Sequence, residues 1–446
     1  MESTVTKFAN FIGKSADIEI PDATLHSAKL IVADCLGAIV GGMAEPEIRM
    51  LAESESENLF EILDKAKKVT DESISFLFGT AGTVLEMDEG HQFAKGHPGM
   101  HVFPALLAAA RNKGFSGEEF LRAFIIGYDV GARIGLAANL NPKMHPHGTW
   151  GGLGAAASLA VLNKMNAHEA REYLNIVSSL TLATSRKTML EGATVRNSYT
   201  GVSNKMAHVG LMLLKAGFTG ENDGIKSIFH GVASNKFDDK SAVELLGKRF
   251  EVSRNYFKLH ACCRYNHAAL DALWKIIEQN NEVKNINQIK KIEVQSYNLA
   301  AELSDQNPRN VLACKFSIPF AISTTLVNLD SGVLSFTEIM RTNKNIQNLC
   351  QKVTIVEDTN MTKKTPDLRP ADVHVLMENG STFKAQVTTN RGDWQDPYSE
   401  EELKQKFISL TTRIWSQKKA LNVYSKSIKL EKIPLDDLIN SIINLT

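Results

Sequence analysis

Cysteine and net charge are both scarce in this chain of 446 residues. Its five cysteines are an odd number, and only Cys262 and Cys263 are adjacent, which fits a reducing compartment and predicts a cytoplasmic protein. Fifty Lys and Arg balance fifty Asp and Glu, so the formal net charge is zero. A neutral chain has no general attraction to nucleic acid or to an anionic membrane. We therefore expect neither as a partner, and any anion site has to be local.

Long apolar runs and nucleotide-binding motifs are also missing. The longest apolar stretches, near residues 30–43 and 153–162, are interrupted by Asp34 or are shorter than the roughly 20 residues that cross a bilayer. The sequence contains no Gly-rich dinucleotide motif, phosphate-binding loop or Gly-x-Ser-x-Gly turn. It therefore predicts no membrane-spanning helix and gives no reason to expect nucleotide, phosphoryl-transfer or serine-hydrolase chemistry.

Helical spacing of apolar residues fills the chain up to about residue 247. Segments near residues 27–40 and 155–162 are apolar on nearly every face, as buried helices are. Small residues at 154–158 allow helices to approach closely. This part of the sequence predicts a large all-helical domain.

The pattern changes after about residue 252. Residues 292–296 alternate between apolar and polar, and an Asn-Gly pair at 379–380 divides two alternating segments, which predicts a β-hairpin. Helical spacing occurs between these strands and returns near residues 399–414. We therefore predict a mainly α protein with a smaller α/β domain after the helical one.

Seven of the twelve histidines lie in three short segments. The first segment, residues 88–101, contains three histidines together with Asp88, Glu89 and Lys95. The second segment, residues 145–147, and the third, residues 258–267, contain two histidines each. Acids and histidines are the side chains that move protons near neutral pH. The three segments are therefore the candidate active-site segments.

In their order and local wording, these segments resemble the MmgE/PrpD superfamily, which contains 2-methylcitrate dehydratase and cis-aconitate decarboxylase. The resemblance covers most of the chain and rests on five pieces. These are Asp88 with Gly96-His97-Pro98-Gly99, His145-Pro146 with Gly151-Gly152-Leu153-Gly154-Ala155-Ala156, Lys258 with Cys262-Cys263-Arg264 and His267, Lys315-Phe316-Ser317-Ile318-Pro319-Phe320, and Arg391-Gly392-Asp393-Trp394-Gln395-Asp396-Pro397-Tyr398.

The resemblance implies a discontinuous architecture. Residues 1–255 together with 400–446 would form the helical domain, and residues 256–399 would form a lid-like α/β domain. It also implies a homodimer. Neither feature follows from periodicity alone.

The resemblance also implies a set of catalytic residues. Five residues match the family's active-site positions, namely Asp88, His97, His145, Lys258 and His267. A single acid or histidine at a helix end is more often only a cap, so the family match carries this expectation. Glu89, His91 and His101 match no such position, and we expect them on the surface or behind the site. Cys262 and Cys263 are expected to be buried thiols, because adjacent cysteines do not easily ligate one tetrahedral ion.

Five further residues are candidate substrate-binding residues. Arg196 falls where dehydratase and decarboxylase relatives have Lys, and a guanidinium grips a carboxylate but does not act as a base. Lys205 could supply the ammonium group that Arg196 no longer provides. The alternative is that Lys205 is an ordinary solvent-exposed lysine on a helix. His147 stands where Thr is common, His260 where Tyr is common, and Phe320 replaces a tyrosine and so lacks its proton.

We therefore predict a metal-free enzyme without a cofactor that acts on a small di- or tricarboxylate. Proton abstraction next to a carboxylate would make it a lyase, either a dehydratase or a decarboxylase. The alternative is an epimerase or isomerase of a C4 dicarboxylate derivative, because Arg196 and Phe320 depart from the lyase pattern and the wording at 192–197 resembles the branch that contains iminodisuccinate epimerase. A third hypothesis is a carboxylate-binding protein without catalysis.

Overall fold

The computed structural model describes residues 2–53, 60–64 and 66–444. Helices dominate the N-terminal part, here residues 2–255. They are α1 (Thr4–Gly13), α2 (Asp22–Gly42), α3 (Pro46–Glu53), α4 (Asp71–Val84), α5 (Pro98–Ala110), α6 (Gly117–Ala137), α7 (Gly151–Leu162), α8 (Ala167–Ser178), α9 (Lys187–Leu190), α10 (Tyr199–Lys215), α11 (Gly224–Lys226) and α12 (Asp239–Val243).

The rest of the chain mixes helices with strands. Its helices are α13 (His267–Gln279), α14 (Asn298–Ala301), α15 (Val311–Lys315), α16 (Ile318–Asn328), α17 (Glu338–Thr342), α18 (Lys344–Cys350), α19 (Thr359–Thr362), α20 (Glu400–Thr411), α21 (Gln417–Ile428) and α22 (Leu435–Ile443). The strands of the whole described chain are β1 (Gly90–His91), β2 (Ala138–Leu140), β3 (Ser234–Phe237), β4 (Asn255–Tyr256), β5 (Ile289–Ser296), β6 (Val353–Glu357), β7 (Ala371–Met377) and β8 (Thr382–Val387). The fold is mainly α, as predicted.

Small residues bring the central helices α6 and α7 together. A Cβ atom added to Gly154 would lie 3.0 Å from the carbonyl oxygen of Gly127 and 3.2 Å from the Cα of Gly131. Every residue of the neighbouring helix α5 is buried. The backbones of α6 and α7 are therefore in close contact in the core of the N-terminal part, and Gly154 allows this helix packing.

The predicted hairpin is confirmed, with Gly380 in the turn at φ 89°. The four-stranded sheet has the order β6-β5-β7-β8, in which β5 and β6 are parallel and the other pairs are antiparallel. Helix α13 packs against β7 and β8. Strand β7 alternates between buried and half-buried residues, as expected of a sheet with one covered face.

Two details of the sequence prediction are wrong. The N-terminal part is not all-helical, because β2 pairs with β3 inside it and β1 pairs with β4 at its boundary. These strands have two to four residues, too few for a readable alternation. The proline after His97 predicts that a local helix stops there, but Pro98 instead occupies the first turn of α5, where its missing N–H costs nothing.

Of the described helices, one is long and apolar enough to cross a membrane by composition. This helix, α2, has 67% of its most apolar stretch buried inside the structure, as the core helix of a soluble protein also would. Helix α20 packs along α2, where Phe407 lies so close to Gly37 that an added Cβ would be 3.0 Å from its ring. This contact supports the proposal that residues 400–446 complete the helical domain.

The C-terminal end of α4 is buried and held by three lysines. Lys315 Nζ donates to the carbonyl oxygen of Val84 at 2.7 Å, and Lys258 Nζ donates to that of Glu86 at 3.1 Å. Lys406 Nζ, from α20, donates to the carbonyl oxygen of Met87 at 2.6 Å. The carbonyl of Val84 ends the helix and lacks a helical partner, whereas those of Glu86 and Met87 lie in the buried segment that follows, so each lysine satisfies a carbonyl that water does not reach.

Lys406 also forms a buried ion pair with Asp34 of α2, with Nζ 2.5 Å from Oδ1. The second oxygen of Asp34 accepts from the backbone N–H of Glu89 at 2.9 Å. We predict that Lys406→Met lowers the free energy of unfolding by about 3 kcal/mol, because it leaves a buried carboxylate without its partner. Burial already raises the pKa of Asp34. The loss should therefore shrink as the pH falls and this carboxyl becomes protonated.

Thermal and urea unfolding at pH 8 and pH 5.5 measure this loss. Lys404→Met is the matched control, because Lys404 lies on the same helix but is exposed and pairs with exposed Glu401. It should change stability by less than about 0.5 kcal/mol. Equal stability of the two variants would contradict the role assigned to Lys406.

Candidate active site

A small cavity, here the inner pocket, lies where the N-terminal part meets residues 256–369. Its volume is about 40 Å³. Its lining contains four arginines, one lysine and three histidines. The lining residues are Glu86, Lys95, His97, His145, Pro146, His147, Arg186, Met189, Arg196, Tyr256, Cys263, Arg264, Tyr265, Phe316 and Arg369.

Asp88 and His97 form a carboxylate–imidazole contact at the edge of this pocket. Asp88 Oδ2 lies 2.8 Å from His97 Nδ1, and Asp88 is fully buried. His97 immediately precedes α5, and its carbonyl oxygen accepts from His101 Nδ1 at 2.8 Å. The carboxylate favours a proton on Nδ1, which leaves Nε2 of His97 as the ring nitrogen without this contact.

His145 and His147 share a loop before α7. Their carbonyl oxygens both accept from Thr184 Oγ1, at 2.7 and 2.9 Å. The backbone N–H of His147 donates to His145 Nδ1 at 3.0 Å. The ring centre of His147 lies 4.6 Å from that of His145 and 4.6 Å from that of His97. The two imidazoles of this loop and that of His97 therefore form a row with His147 in the middle.

Glu86, Arg196 and Lys258 form a buried charge cluster at the pocket floor. Glu86 directly follows α4 in the left-handed region, at φ 56°, which is uncommon for a residue with a side chain. Its carboxylate contacts Arg196 Nη1 and lies 3.2 Å from Lys258 Nζ. Lys258 Nζ is also 3.7 Å from Asp88 Oδ1. One lysine thus links both acids of this helix end.

Mutual attraction keeps these groups charged. Burial by itself would raise the pKa of Glu86, but Arg196 and Lys258 lower it below its usual value. Burial likewise opposes ionisation of Asp88, yet His97 and Lys258 hold its pKa well below the usual range. The two acids raise the pKa of Lys258 although burial opposes this. The floor of the pocket therefore carries fixed charges of both signs.

The imidazoles of His145 and His147 favour their neutral form. Burial, followed by the charge of Arg196, lowers the pKa of both well below the usual value. Arg196 Nε lies 3.4 Å from His145 Nε2. An anion bound beside Arg196 would offset its charge and raise both pKa values again.

His267 lies behind the pocket and acts on Arg264. Arg264 Nη1 donates to His267 Nδ1 at 2.9 Å, and His267 Nε2 lies 3.3 Å from the carbonyl oxygen of Cys262. Burial, followed by the charge of Arg264, lowers the pKa of His267 well below its usual value. The guanidinium of Arg264 also contacts Asp393 at 2.6 Å. His267 therefore positions an arginine that lines the pocket.

Three expected substrate-binding residues lie elsewhere, which corrects the sequence interpretation. Lys205 is exposed on α10, with its ammonium 6.0 Å from the ring of Phe76. His260 contacts Ser331 at 2.6 Å and Asp271 at 3.1 Å beside a separate cavity. Phe320 is buried in α16 against Phe336, and Phe316 lines the pocket instead. Where each side chain lies depends on which face of its helix or loop it occupies, and a sequence motif alone does not reveal this.

Glu89, His91 and His101 are all buried rather than on the surface. Glu89 accepts from the N–H of Gly99 at 2.7 Å and from the hydroxyl of Tyr128 at 3.0 Å, and burial raises its pKa well above the usual value. His101 accepts from the N–H of Gly148 at 3.3 Å, so it ties the loop of His97 to the loop of His147. These residues support the site from behind.

The sequence interpretation missed several lining residues. They are Glu86, Lys95, Arg186, Arg264, Arg369, Tyr256 and Tyr265. Glu86 and Arg264 lie close in sequence to the candidate residues Asp88 and His267, and this closeness could have indicated that they line the site. Arg186 and Arg369 lie in irregular segments without a motif, and only the fold brings them to the pocket. Within the described ranges, no group of three or more His, Cys, Asp or Glu is placed to hold a metal ion.

Known proteins match the chain over nearly its whole length. The MmgE/PrpD N-terminal domain matches residues 6–241, and the MmgE/PrpD C-terminal domain matches residues 260–430. The cis-aconitate decarboxylase-like protein oryM of Aspergillus oryzae is 20% identical, over 96% of this chain and 95% of that protein. Cis-aconitate decarboxylase of Aspergillus terreus is 20% identical over 98% and 95%, and cis-aconitate decarboxylase of Homo sapiens is 23% identical over 93% and 89%.

The lowered pKa values of His145 and His147 predict a pH-dependent stability. Free histidine titrates near about 6.5, so below that pH the unfolded chain takes up protons that these two buried rings refuse. Their contribution to stability is therefore complete above about pH 6.5 and is lost as the pH falls, by up to about 1.4 kcal/mol per pH unit for each ring. Replacing both residues by Gln should flatten the fall in stability between pH 6.5 and pH 5.

Denaturant unfolding across this pH range measures the slope. His168→Gln, at an exposed position, is the control and should leave the slope as it is. A double variant with the slope of the unchanged protein would mean that His145 and His147 accept protons in the folded state.

Proposed function

The chain belongs to the MmgE/PrpD family, and from that premise we propose that it is a lyase acting on a small polycarboxylate. One observation carries the proposal: the inner pocket joins three buried histidines to five cationic side chains, of which Arg196, Arg264 and Arg369 are buried. The substrate class, the reaction and the residue roles given below are parts of this proposal.

The cations suit a substrate with several carboxylates. Arg196 and Arg264 are almost fully buried, and their ion pairs with Glu86 and Asp393 hold both guanidinium groups in place at the pocket. Guanidinium groups bind carboxylates through two parallel hydrogen bonds. In a pocket that excludes water, such contacts also stabilise the negative charge that develops when a bond to carbon breaks.

His97 is the proposed proton carrier. Asp88 orients its ring and stabilises the imidazolium that forms when Nε2 takes a proton. His145 and His147 lie in the same row and become able to accept a proton once a bound anion offsets Arg196. Lys258 keeps Asp88 ionised and acts through it, while His267 acts through Arg264.

Two lyase reactions fit this arrangement. In a decarboxylation the carbon–carbon bond to a carboxylate breaks, carbon dioxide leaves, and the remaining electron pair takes a proton from an imidazolium. In a dehydration a base removes a proton next to a carboxylate, and hydroxide leaves the neighbouring carbon with a proton from the acid. The relatives named above are decarboxylases, which favours the first reaction.

Substrate entry requires the pocket to widen. Its volume of about 40 Å³ is far below the roughly 300 Å³ of typical ligand sites. The middle of the chain contributes Arg264 and Arg369, and the N-terminal part contributes the histidines. Movement of residues 256–399 as a lid would open the space between them.

The comparisons give no support to the epimerase alternative, since the relatives named here are decarboxylases. We keep as proposals that residues 1–255 with 400–446 and residues 256–399 are separate domains, that the protein is a cytoplasmic homodimer, and that no cofactor, nucleic acid or membrane takes part.

The reaction is tested by NMR of the protein in heavy water with cis-aconitate, 2-methylcitrate, citrate and a four-carbon dicarboxylate. We predict loss of a carboxyl group or of water, with deuterium entering the product next to a carboxylate when carbon dioxide is lost. Deuterium exchange with scrambled stereochemistry and no elimination would replace lyase by epimerase. Binding without product or exchange would leave only a carboxylate-binding protein.

Asp88→Asn is the matching variant in this assay. It keeps the shape of the side chain but removes the charge that orients His97, so turnover should fall about 100-fold or more. Asp372→Asn is the control, because Asp372 lies 3.1 Å from His374 on the sheet, outside the pocket. Turnover of Asp88→Asn within threefold of the control, about 0.7 kcal/mol, would contradict the role of this pair.

A further inference from the structure

Arg369 differs from the other arginines of the inner pocket in its lack of a carboxylate partner among the described residues. The other three each have one: Arg186 pairs with Glu302, Arg196 with Glu86, and Arg264 with Asp393. Arg369 is only 4% exposed. A buried cation without a counter-charge is costly unless a ligand supplies one.

The guanidinium of Arg369 is nevertheless fixed in place. Its Nη2 donates to the carbonyl oxygen of Gln92 at 2.9 Å, and the side chain of Gln92 donates to the carbonyl oxygen of Asp367 at 2.9 Å. The rings of Tyr256 and Tyr265 lie 5.9 and 5.4 Å from the guanidinium carbon. These contacts occupy one nitrogen and the faces of the group, and they leave its remaining N–H donors to the cavity.

Lys95 is a second cation at the same place. Its backbone is in the left-handed region at φ 56°, and within the described chain its ammonium has no carboxylate within ion-pair distance. The residue is exposed, but partial burial of its ammonium, followed by the charges of Arg369 and Arg186, lowers the pKa of Lys95. The two nearby guanidinium groups therefore make this part of the pocket positive, which favours an anion.

Arg369 and Lys95 stand at the mouth of the inner pocket. Both also line an outer cavity of about 400 Å³, together with Arg186 and Tyr265. The three imidazoles line the inner pocket and are absent from the described lining of the outer cavity. A molecule that reaches the imidazoles through the outer cavity passes these two cations.

We infer that Arg369 and Lys95 bind a carboxylate of the substrate that the reaction does not remove. The reacting carbon then lies deeper, beside the histidines, and the mouth selects acids with at least two carboxylates over monocarboxylates. The placement of the reacting carbon beside the histidines rests on the proposed function. The carboxylate subsite itself is tested by binding, without turnover.

The test is calorimetric binding of tricarballylate, glutarate and butyrate, which carry three, two and one carboxylates. The unchanged protein should bind tricarballylate at least about 10-fold more tightly than butyrate. Arg369→Gln should weaken tricarballylate binding about 10- to 100-fold and leave butyrate binding unchanged. Lys95→Gln should weaken it by a smaller factor, and Arg369→Lys should restore the charge without the planar fork.

Matched controls exist for both positions. Arg391 is 52% exposed and pairs with Glu402, and Lys164 is 81% exposed with a left-handed backbone, φ 53°, close to that of Lys95. Arg391→Gln and Lys164→Gln should bind tricarballylate like the unchanged protein. The thermal unfolding temperature checks that each variant folds, and Lys95→Gln carries the test if Arg369→Gln does not fold.

The outcomes separate this inference from the proposed function. Unchanged tricarballylate affinity in folded Arg369→Gln and Lys95→Gln overturns the subsite, even if the protein turns over a polycarboxylate. A loss of affinity in both variants supports the subsite, even if no substrate is turned over, and the lyase proposal then fails alone. When a substrate is turned over, Arg369→Gln should raise its KM by the same factor and change kcat less than about threefold.

Discussion

The buried C-terminal end of α4 is the constraint on which the rest of the site depends. The carbonyl oxygens of its last residue, Val84, and of Glu86 and Met87 in the buried segment that follows cannot reach water, so lysines from three distant parts of the chain satisfy them. The same lysines bring positive charge to the place where Glu86 and Asp88 leave the helix. Capping a helix end thereby also joins residues 256–315 and α20 to the N-terminal part and charges the pocket floor.

Charge compensation then explains how the site is divided. At the floor, Arg196 and Lys258 face Glu86 and Asp88, so this region is nearly balanced before a ligand arrives. At the mouth the balance fails around Arg369. A polycarboxylate would restore it there and, by offsetting the cations, return the neutral imidazoles to a pKa at which they exchange protons. Substrate binding and preparation for proton transfer are in this account the same electrostatic event.

The sequence predicts those features that depend on a local residue pattern or on sequence motifs shared with a family. The Asn-Gly hairpin follows from its turn residues, and the meeting of His97 and His145 at one pocket, with Lys258 beside Asp88, follows from the resemblance. Their catalytic roles stay predictions. Arg369 lies in an irregular segment before β7, and no local rule shows that the fold carries it to the histidines. Lys205 is the opposite case, because it lies on an exposed face of α10 and does not line the inner pocket.

The most direct test of this account is the number of protons taken up when tricarballylate binds, measured by calorimetry at pH 7 in buffers of different ionisation enthalpy. Because burial and Arg196 hold the pKa of His145 and His147 low in the empty pocket, a bound anion should raise at least one of them. The account predicts net uptake of a substantial fraction of one proton, and less uptake at pH 8.5. Binding with no proton uptake at either pH would contradict it.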